Sequence, residues 1–225
     1  MPNAVTVLFQ MTFAMIATAI IPGSLANRVK IHTWLIFTAV WVLLVYAPMA
    51  HMVWGGGLLG EGANSLSAWL FGTHQEGAET VANIAPIDFA GGTVIHINAG
   101  VVGGVLASYS VSLKYRLGFD DSLDVVGLHL AAGLWGTIAP GLFATDRGLL
   151  TGGGADGAKL LAVQVLIAII AAAFGGVLTA VIALILKRTL GWRISAEEEN
   201  TGIDVTHHHE RAYHALVDAV VAQRE

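Results

Sequence analysis

The sequence has no cysteine and very little charge. Asp, Glu, Lys and Arg make up only 12% of its 225 residues, about half of what a soluble globular protein carries. The absence of cysteine excludes disulfides, thiolate metal ligands and cysteine nucleophiles. A net charge of −5 argues against anionic partners, nucleic acid among them. These shortages exclude a soluble enzyme, a disordered chain and a nucleic-acid-binding protein.

Long apolar runs take the place of charge. Hydrophobic residue types form 55% of the chain, its mean hydropathy is +0.69, and about 20 apolar residues suffice for a helix to cross a bilayer. The charge-free runs predict an all-α integral membrane protein with five transmembrane helices. These helices are expected at residues 4–21, 34–54, 89–113, 125–144 and 160–186, within a transmembrane domain 1–193 that a polar tail 194–225 follows. A signal peptide is the alternative for the first run, which is too long for one and lacks a basic n-region.

The basic residues predict the orientation, because loops rich in Lys and Arg stay in the cytoplasm. Nine of the eleven follow the first, third or fifth run, and only Arg147 and Lys159 lie on the other side. We therefore expect a multi-pass protein of the cell membrane with its N-terminus outside and its C-terminus in the cytoplasm. The loop 55–87 would face the exterior, where its three glutamates and lack of basic residues could concentrate cations.

Two histidines lie inside apolar runs. His96 is eight residues past Asp88, which is about 12 Å of helix, and His129 is five residues past Asp124 in a run that enters from the opposite face. The two can therefore meet at similar depth. A neutral histidine that bonds between helices is the simpler interpretation of each, but ionisable groups inside membranes usually face a cavity or a partner. A metalloenzyme is disfavoured, because there is no His-Glu-x-x-His string and no third ligand is evident at this depth.

Two aromatic residues admit two interpretations each. Trp54 ends the second run before three glycines, as an interfacial tryptophan that anchors a helix would. Its indole could instead make a cation-π contact with an entering cation, because the glycines leave space beside it. Phe13, in the middle of the first run, is either a packing residue or part of a hydrophobic constriction.

Three strings in order carry a family resemblance. HMVWGGGLL at 51–59, DFAGGTVIHINA at 88–99 and the segment 112–129 closely resemble signatures of the ammonium transporter, methylammonium permease and Rhesus family. The resemblance implies transport of ammonium or ammonia across the lipid bilayer. It implies neither enzymatic activity nor a cofactor nor a bound metal.

The resemblance also implies roles for single residues. Phe13 matches one of two stacked phenylalanines that close the outer vestibule, Trp54 matches the aromatic residue that recruits ammonium, and Asp88 matches a carboxylate that supports this site through helix-end hydrogen bonds. His96 and His129 match the paired pore histidines, whose rings share a hydrogen bond. The aspartates that match the cytoplasmic mouth of the pore are Asp120, Asp121 and Asp124.

The number of helices departs from the family pattern. Family members have eleven, whereas the five runs here resemble the third, the fourth, a fusion of the fifth with the ninth, the tenth and the eleventh. Two helices would be missing before Met1, and the junction of the fused helix is expected within 100–109. Because about half of the pore wall would be absent, a non-transporting remnant or a regulatory subunit of an ammonium transporter is the alternative function.

The resemblance implies partners as well. Family members form homotrimers, and in bacterial relatives nitrogen-sensing PII-type proteins dock at the cytoplasmic face where the tail lies. In this chain the tail carries Ser195 with Glu198 three residues later, a capping arrangement that predicts a short helix. His207 begins a run of three histidines that could hold a metal loosely, although a solvated segment is the simpler interpretation.

Overall fold

The computed structural model describes residues 3–24, 29–88, 91–97, 125 and 129–208. The three aspartates of the expected cytoplasmic mouth and the junction expected within 100–109 lie outside these residues. The described helices are α1 (Asn3–Ile20), α2 (Ile31–Trp54), α3 (Leu66–Phe71), α4 (Ala131–Phe143), α5 (Gly154–Thr189) and α6 (Ala196–Thr201). A short 3₁₀ turn covers Ile21–Ser24, and π-helical segments cover Gly92–Ile97 and Asp204–His208.

In the part of the chain that the structure describes, α2 and α5 are long and apolar enough to cross a membrane. They contain 24 and 36 residues, about 36 and 54 Å of helix at 1.5 Å per residue. α1 is a shorter apolar helix. The middle of α2, Val42–Tyr46, is π-helical and leads into Pro48. Proline lacks an N–H and its ring clashes with the carbonyl four residues earlier, so a wider turn at this point relieves the clash.

Two groups of buried side chains join these helices. The first packs α1, α2 and the segment Gly92–Ile97 against the second half of α5, and Trp41 in it donates a hydrogen bond from Nε1 to Thr179 Oγ1 at 2.9 Å. The second packs the first half of α5 against the end of α2 and the segment 84–87, around Met49 and Val163. Large apolar side chains on the outward faces of α1, α2 and α5 are exposed, as expected of surfaces that contact lipid.

The loop 55–87 contains regular structure, a short hairpin that the expectation of an all-α chain did not include. Strands β1 (Thr73–Glu76) and β2 (Glu79–Ala82) pair as an antiparallel hairpin after α3. The turn between them has Gly77 at φ 61°, a left-handed conformation that glycine adopts without a steric penalty. The loop 55–87 is therefore partly folded, with a short helix and a hairpin.

Hydrogen bonds join the segment that follows α5 to the start of α2. Lys30 donates its backbone N–H to the carbonyl of Trp192 at 3.2 Å, and Thr33 Oγ1 donates to the carbonyl of Gly191 at 2.9 Å. The next helix, α6, begins with the predicted capping box. The hydroxyl of Ser195 accepts from the Glu198 N–H at 3.2 Å, and the Glu198 carboxylate accepts from the Ser195 N–H at 2.8 Å. The prediction of a short tail helix is confirmed.

Candidate functional site

Asp88 closes the start of the π-helical segment Gly92–Ile97. One carboxylate oxygen accepts from the N–H of Thr93 at 3.0 Å and the other from the N–H of Val94 at 3.4 Å. The indole N–H of Trp54, the one polar group of that side chain, also faces this carboxylate closely enough to favour its charged form. A carboxylate at a helix N-terminus is favoured by the helix dipole. The helix-end hydrogen bonds expected of Asp88 are present.

Trp54 lies between Asp88 and Phe13. The ring centroids of Phe13 and Trp54 are 5.7 Å apart with the planes tilted by 55°, and Phe9 meets Phe13 edge-on at 4.9 Å. Both Phe13 and Trp54 are half-buried. The end of α2 and the middle of α1 thus form one aromatic surface with a carboxylate at its edge.

A cavity of about 350 Å³ opens beside this group, and we call it the Trp54 cavity. Its walls come from the end of α2, strand β2, the segment before Gly92 and the first half of α5. The side chains that give it polar character are Trp54, Glu61, Glu79, Thr80, Asp88, Thr93 and Gln164. Three carboxylates on a concave surface attract small cations and raise their local concentration.

His96 and His129 come from two segments that pack side by side. A methyl group placed on Gly133, four residues after His129, would lie 2.7 Å from the carbonyl carbon and oxygen of His96, so the two backbones touch. The segment Gly92–Ile97 therefore packs closely against the start of α4.

Each histidine has one buried ring nitrogen without a hydrogen bond among the described residues. These atoms are His96 Nδ1 and His129 Nδ1, so the expected hydrogen bond between the rings is not made through either of them. An unpaired buried nitrogen costs about 1 to 3 kcal/mol. A small molecule that donates and accepts hydrogen bonds could satisfy both.

The backbone that carries His96 is π-helical. Its N–H donates to the carbonyl of Gly91 at 2.9 Å, five residues earlier, and Gly91 has φ 72°. Single π-turns are frequent at functional sites. Gly91 adopts a left-handed conformation that L side chains rarely adopt, so glycine is needed where this π-helical segment begins.

Sequence reasoning did not identify Gln164, which lies in α5. Its side chain is 1% exposed. Nε2 donates to the carbonyls of Ile87 and Thr137, both at 2.7 Å, and Oε1 accepts from the Ile87 N–H at 3.0 Å. The available signal was a lone amide inside the most apolar run, since polar groups inside membranes are costly and usually functional.

Gln164 belongs to a continuous polar network. The hydroxyls of Thr93 and Thr137 are buried and 3.4 Å apart. Thr93 donates its backbone N–H to Asp88, and Thr137 accepts from Gln164. The network joins the segment Gly92–Ile97, α4 and α5 at one end of the molecule. Among the residues that the structure describes, no three His, Asp or Glu side chains are grouped as a metal site requires.

The family model described as Ammonium Transporter Family matches residues 1–109 and 98–213. The two matches overlap at 98–109, which includes the expected junction. The ammonium transporter of Mycobacterium tuberculosis is 28% identical over 345 aligned positions, with 95% of this chain and 68% of the relative covered. The ammonium transporter of Bacillus subtilis is 28% identical over 310 positions, with 94% and 76% covered.

These alignments contain a long gap. This chain has 225 residues, so at least 85 of the 310 positions aligned with the Bacillus subtilis protein have no counterpart in it. Among solved structures, one titled "Sensor Amt Protein" superposes with a TM-score of 0.63 at 18% identity, and the match covers 88% of this chain and 75% of that one. At this identity the likeness shows the fold.

Proposed function

Because the chain belongs to the ammonium transporter family, we propose that it conducts ammonium or ammonia through a pore entered beside Phe13, Trp54 and Asp88. His96 and His129 line the interior. Family members are membrane transporters and not enzymes. The observation that carries the proposal is the contact of Trp54 with both Phe13 and Asp88 at the wall of the Trp54 cavity.

The entrance is suited to a small cation that must lose water. The indole face of Trp54 attracts a cation by about 0.5 to 2 kcal/mol. Asp88 already accepts hydrogen bonds from two backbone N–H groups and faces the indole N–H, so it acts through its field and by orienting Trp54. Phe13 borders the indole and would separate the entrance from the interior as a gate.

The interior is suited to ammonia better than to the ion. A bare charge inside a membrane is costly, whereas ammonia can accept and donate hydrogen bonds to neutral imidazoles. The unpaired Nδ1 atoms of His96 and His129 would supply such partners. A coupled pair of imidazoles can also take up a proton and pass it on.

We further propose five membrane crossings, an external N-terminus and a cytoplasmic tail 194–225. Two contacts support this topology. Lys30 bonds to Trp192, and both lie in segments expected in the cytoplasm. Arg147 bonds to the carbonyl of Ala85 at 2.8 Å, and both lie in segments expected outside.

A second candidate is a non-transporting regulatory subunit. The gap of at least 85 positions favours it, because family pores run between two halves and a large part of one half would have no counterpart here. Such a subunit would keep the tail, at which a PII-type protein could dock, and would assemble with other chains. A homotrimer is the assembly expected from the family resemblance.

Uptake of labelled methylammonium by proteoliposomes that contain the purified full chain tests the proposal. We expect uptake above empty liposomes, reduced about threefold to thirtyfold at low substrate in Trp54→Leu. Trp69→Leu is the matched control, because Trp69 is 66% exposed on α3 and does not line the cavity. No uptake by the wild-type chain would leave the regulatory subunit, and equal loss in both variants would exclude a special role for Trp54.

A further inference from the structure

We propose that Gln164 is a positioning residue for the ammonium entrance, which it serves by fixing the backbone next to Asp88. The inference rests on the proposed function for its ligand, and its structural part can be tested without transport. Gln164 lines the Trp54 cavity, but its hydrogen bonds all go to backbone groups. It acts through Ile87.

The first step is the conformation of the segment 85–88, which has no regular structure. Backbone groups outside helices and sheets need other partners when water is excluded. Gln164 provides two of them, because it accepts from the N–H of Ile87 and donates to the carbonyl of the same residue. Pro86, directly before, has no N–H to contribute. One side chain thus fixes both polar groups of one residue.

The second step is the link from Ile87 to the entrance. Asp88 is the next residue; its carboxylate accepts hydrogen bonds from the N–H groups of Thr93 and Val94 and faces the indole N–H of Trp54. These bonds form only while the backbone of Asp88 stays within reach of the N–H groups of Thr93 and Val94. If Ile87 were released, Asp88 could move away from the indole while it kept some of its backbone bonds.

The third step is the closure of the network on α4. Gln164 also donates to the carbonyl of Thr137, and the hydroxyl of Thr137 lies 3.4 Å from that of Thr93. The start of the π-helical segment is therefore held from Asp88 on one side and from Thr137 on the other. A buried, fully bonded network of this kind specifies one arrangement among those that apolar packing alone would permit.

The amide of Gln164 indicates a residue that positions backbone groups, because a residue that only fills space in this core would be apolar. Leu160, Val163 and Ile167 around it show that α5 fills this region with apolar side chains. An amide in such a helix is destabilising unless its bonds are made, and here the acceptor contact and both donor contacts of Gln164 are directed at backbone groups beside the entrance. Gln164 and Asp88 also line the same cavity.

The test uses the full chain in lipid nanodiscs with ¹⁵N-labelled tryptophan. The six tryptophans give separate indole N–H signals, and Trp54→Phe identifies the signal of Trp54. Gln164→Met keeps the volume and removes all three hydrogen bonds, whereas Gln164→Glu, which is neutral in this buried site, keeps the acceptor for Ile87 and one hydroxyl donor. Thr179→Val is the control on the same helix, because it removes the bond from Trp41 far from the cavity.

We expect the Trp54 indole proton to move upfield in Gln164→Met, since the Asp88 carboxylate moves away from the indole N–H, and to move less in Gln164→Glu. Thr179→Val should shift Trp41 and leave Trp54 unchanged. In an ammonium titration followed on the Trp54 signal, Gln164→Met should bind about tenfold more weakly, the factor that one buried hydrogen bond is worth.

The outcomes separate the two proposals. A Trp54 signal at the wild-type position in both Gln164 variants would overturn the positioning role. Loss of folding in both, with Thr179→Val folded, would overturn it in favour of a purely structural role. A wild-type chain whose Trp54 signal ignores ammonium would contradict the proposed function, while the upfield shift in Gln164→Met would still support the link to Asp88.

Discussion

The indole N–H of Trp54, at the end of α2, faces the carboxylate of Asp88, which accepts a hydrogen bond from Thr93 at the start of the π-helical segment Gly92–Ile97. The indole is therefore oriented by a carboxylate on one side and by the ring of Phe13 on the other. An interfacial tryptophan that merely anchors a helix needs neither contact. The geometry favours the cation-π interpretation of Trp54 over the interfacial one.

The two duties of Asp88 can be separated by substitution. Asp88→Ala removes the acceptors for the N–H groups of Thr93 and Val94, so we expect a loss of about 0.5 to 2 kcal/mol in the free energy of unfolding. Asp88→Asn keeps one oxygen acceptor and should recover most of that loss, but not the negative field at the entrance. Thermal unfolding in detergent and methylammonium uptake measure the two effects. Equal recovery of stability and uptake in Asp88→Asn would show that the charge is dispensable.

Gly133 and Gly136 on α4 should respond in opposite directions to the same change. A methyl group on Gly133 would lie 2.7 Å from the His96 backbone, whereas nothing lies within 4 Å of one on Gly136. We expect Gly133→Ala to cost about 1 to 3 kcal/mol through overpacking. Gly136→Ala should stabilise the helix by up to about 1 kcal/mol. The melting temperatures of the two variants provide the comparison, and a stable Gly133→Ala would contradict the close approach of α4 to His96.

The parts of this site that could be predicted from the sequence are those carried by contiguous strings. Trp54, Asp88 and His96 lie in such strings, and their succession indicated the fold. The contact of Phe13 with Trp54 was expected only through the resemblance, because nothing local in α1 refers to α2. Position in the chain alone left Trp54 ambiguous.

Gln164 shows why the rest could not be predicted. Its partners are backbone groups 77 and 27 residues away, and a backbone group leaves no mark in the sequence. The hairpin after α3 was missed because strands of four residues are short against the long apolar runs around them. The sequence alone does not distinguish whether Gly91 and Gly92 serve close helix packing or a left-handed backbone, since glycine permits both equally well.

The tail helix α6 should weaken at low pH. The N–H and then the hydroxyl of Ser195, with a smaller contribution from His207 at 3.1 Å, hold the pKa of Glu198 below its usual range. A carboxyl whose pKa is lowered on folding adds stability above its unfolded pKa, and this stability is lost as pH falls through the folded value. We expect amide exchange in Ala196–Thr201 to accelerate as the medium becomes more acidic than that folded pKa.

Glu198→Gln is the control for this titration, because it keeps a side-chain oxygen for the Ser195 N–H but cannot titrate. Exchange in the variant should be independent of Glu198 protonation after correction for the intrinsic pH dependence of exchange. The same acid-induced acceleration in both proteins would assign the effect to another group.

His96 and His129 should behave as one unit. Their segments touch at Gly133, and the chain has no cysteine, so His96→Cys with His129→Cys gives a crosslinking pair without background. A disulfide requires Cα atoms within about 7 Å, and we expect oxidant to form one within a single chain.

Where the chain transports, each single replacement should alter proton coupling or selectivity. The double replacement should cost much less than both singles together, because coupled groups are not additive. Absence of the crosslink together with additive effects would return each histidine to the simpler interpretation, a neutral residue that bonds between packed helices.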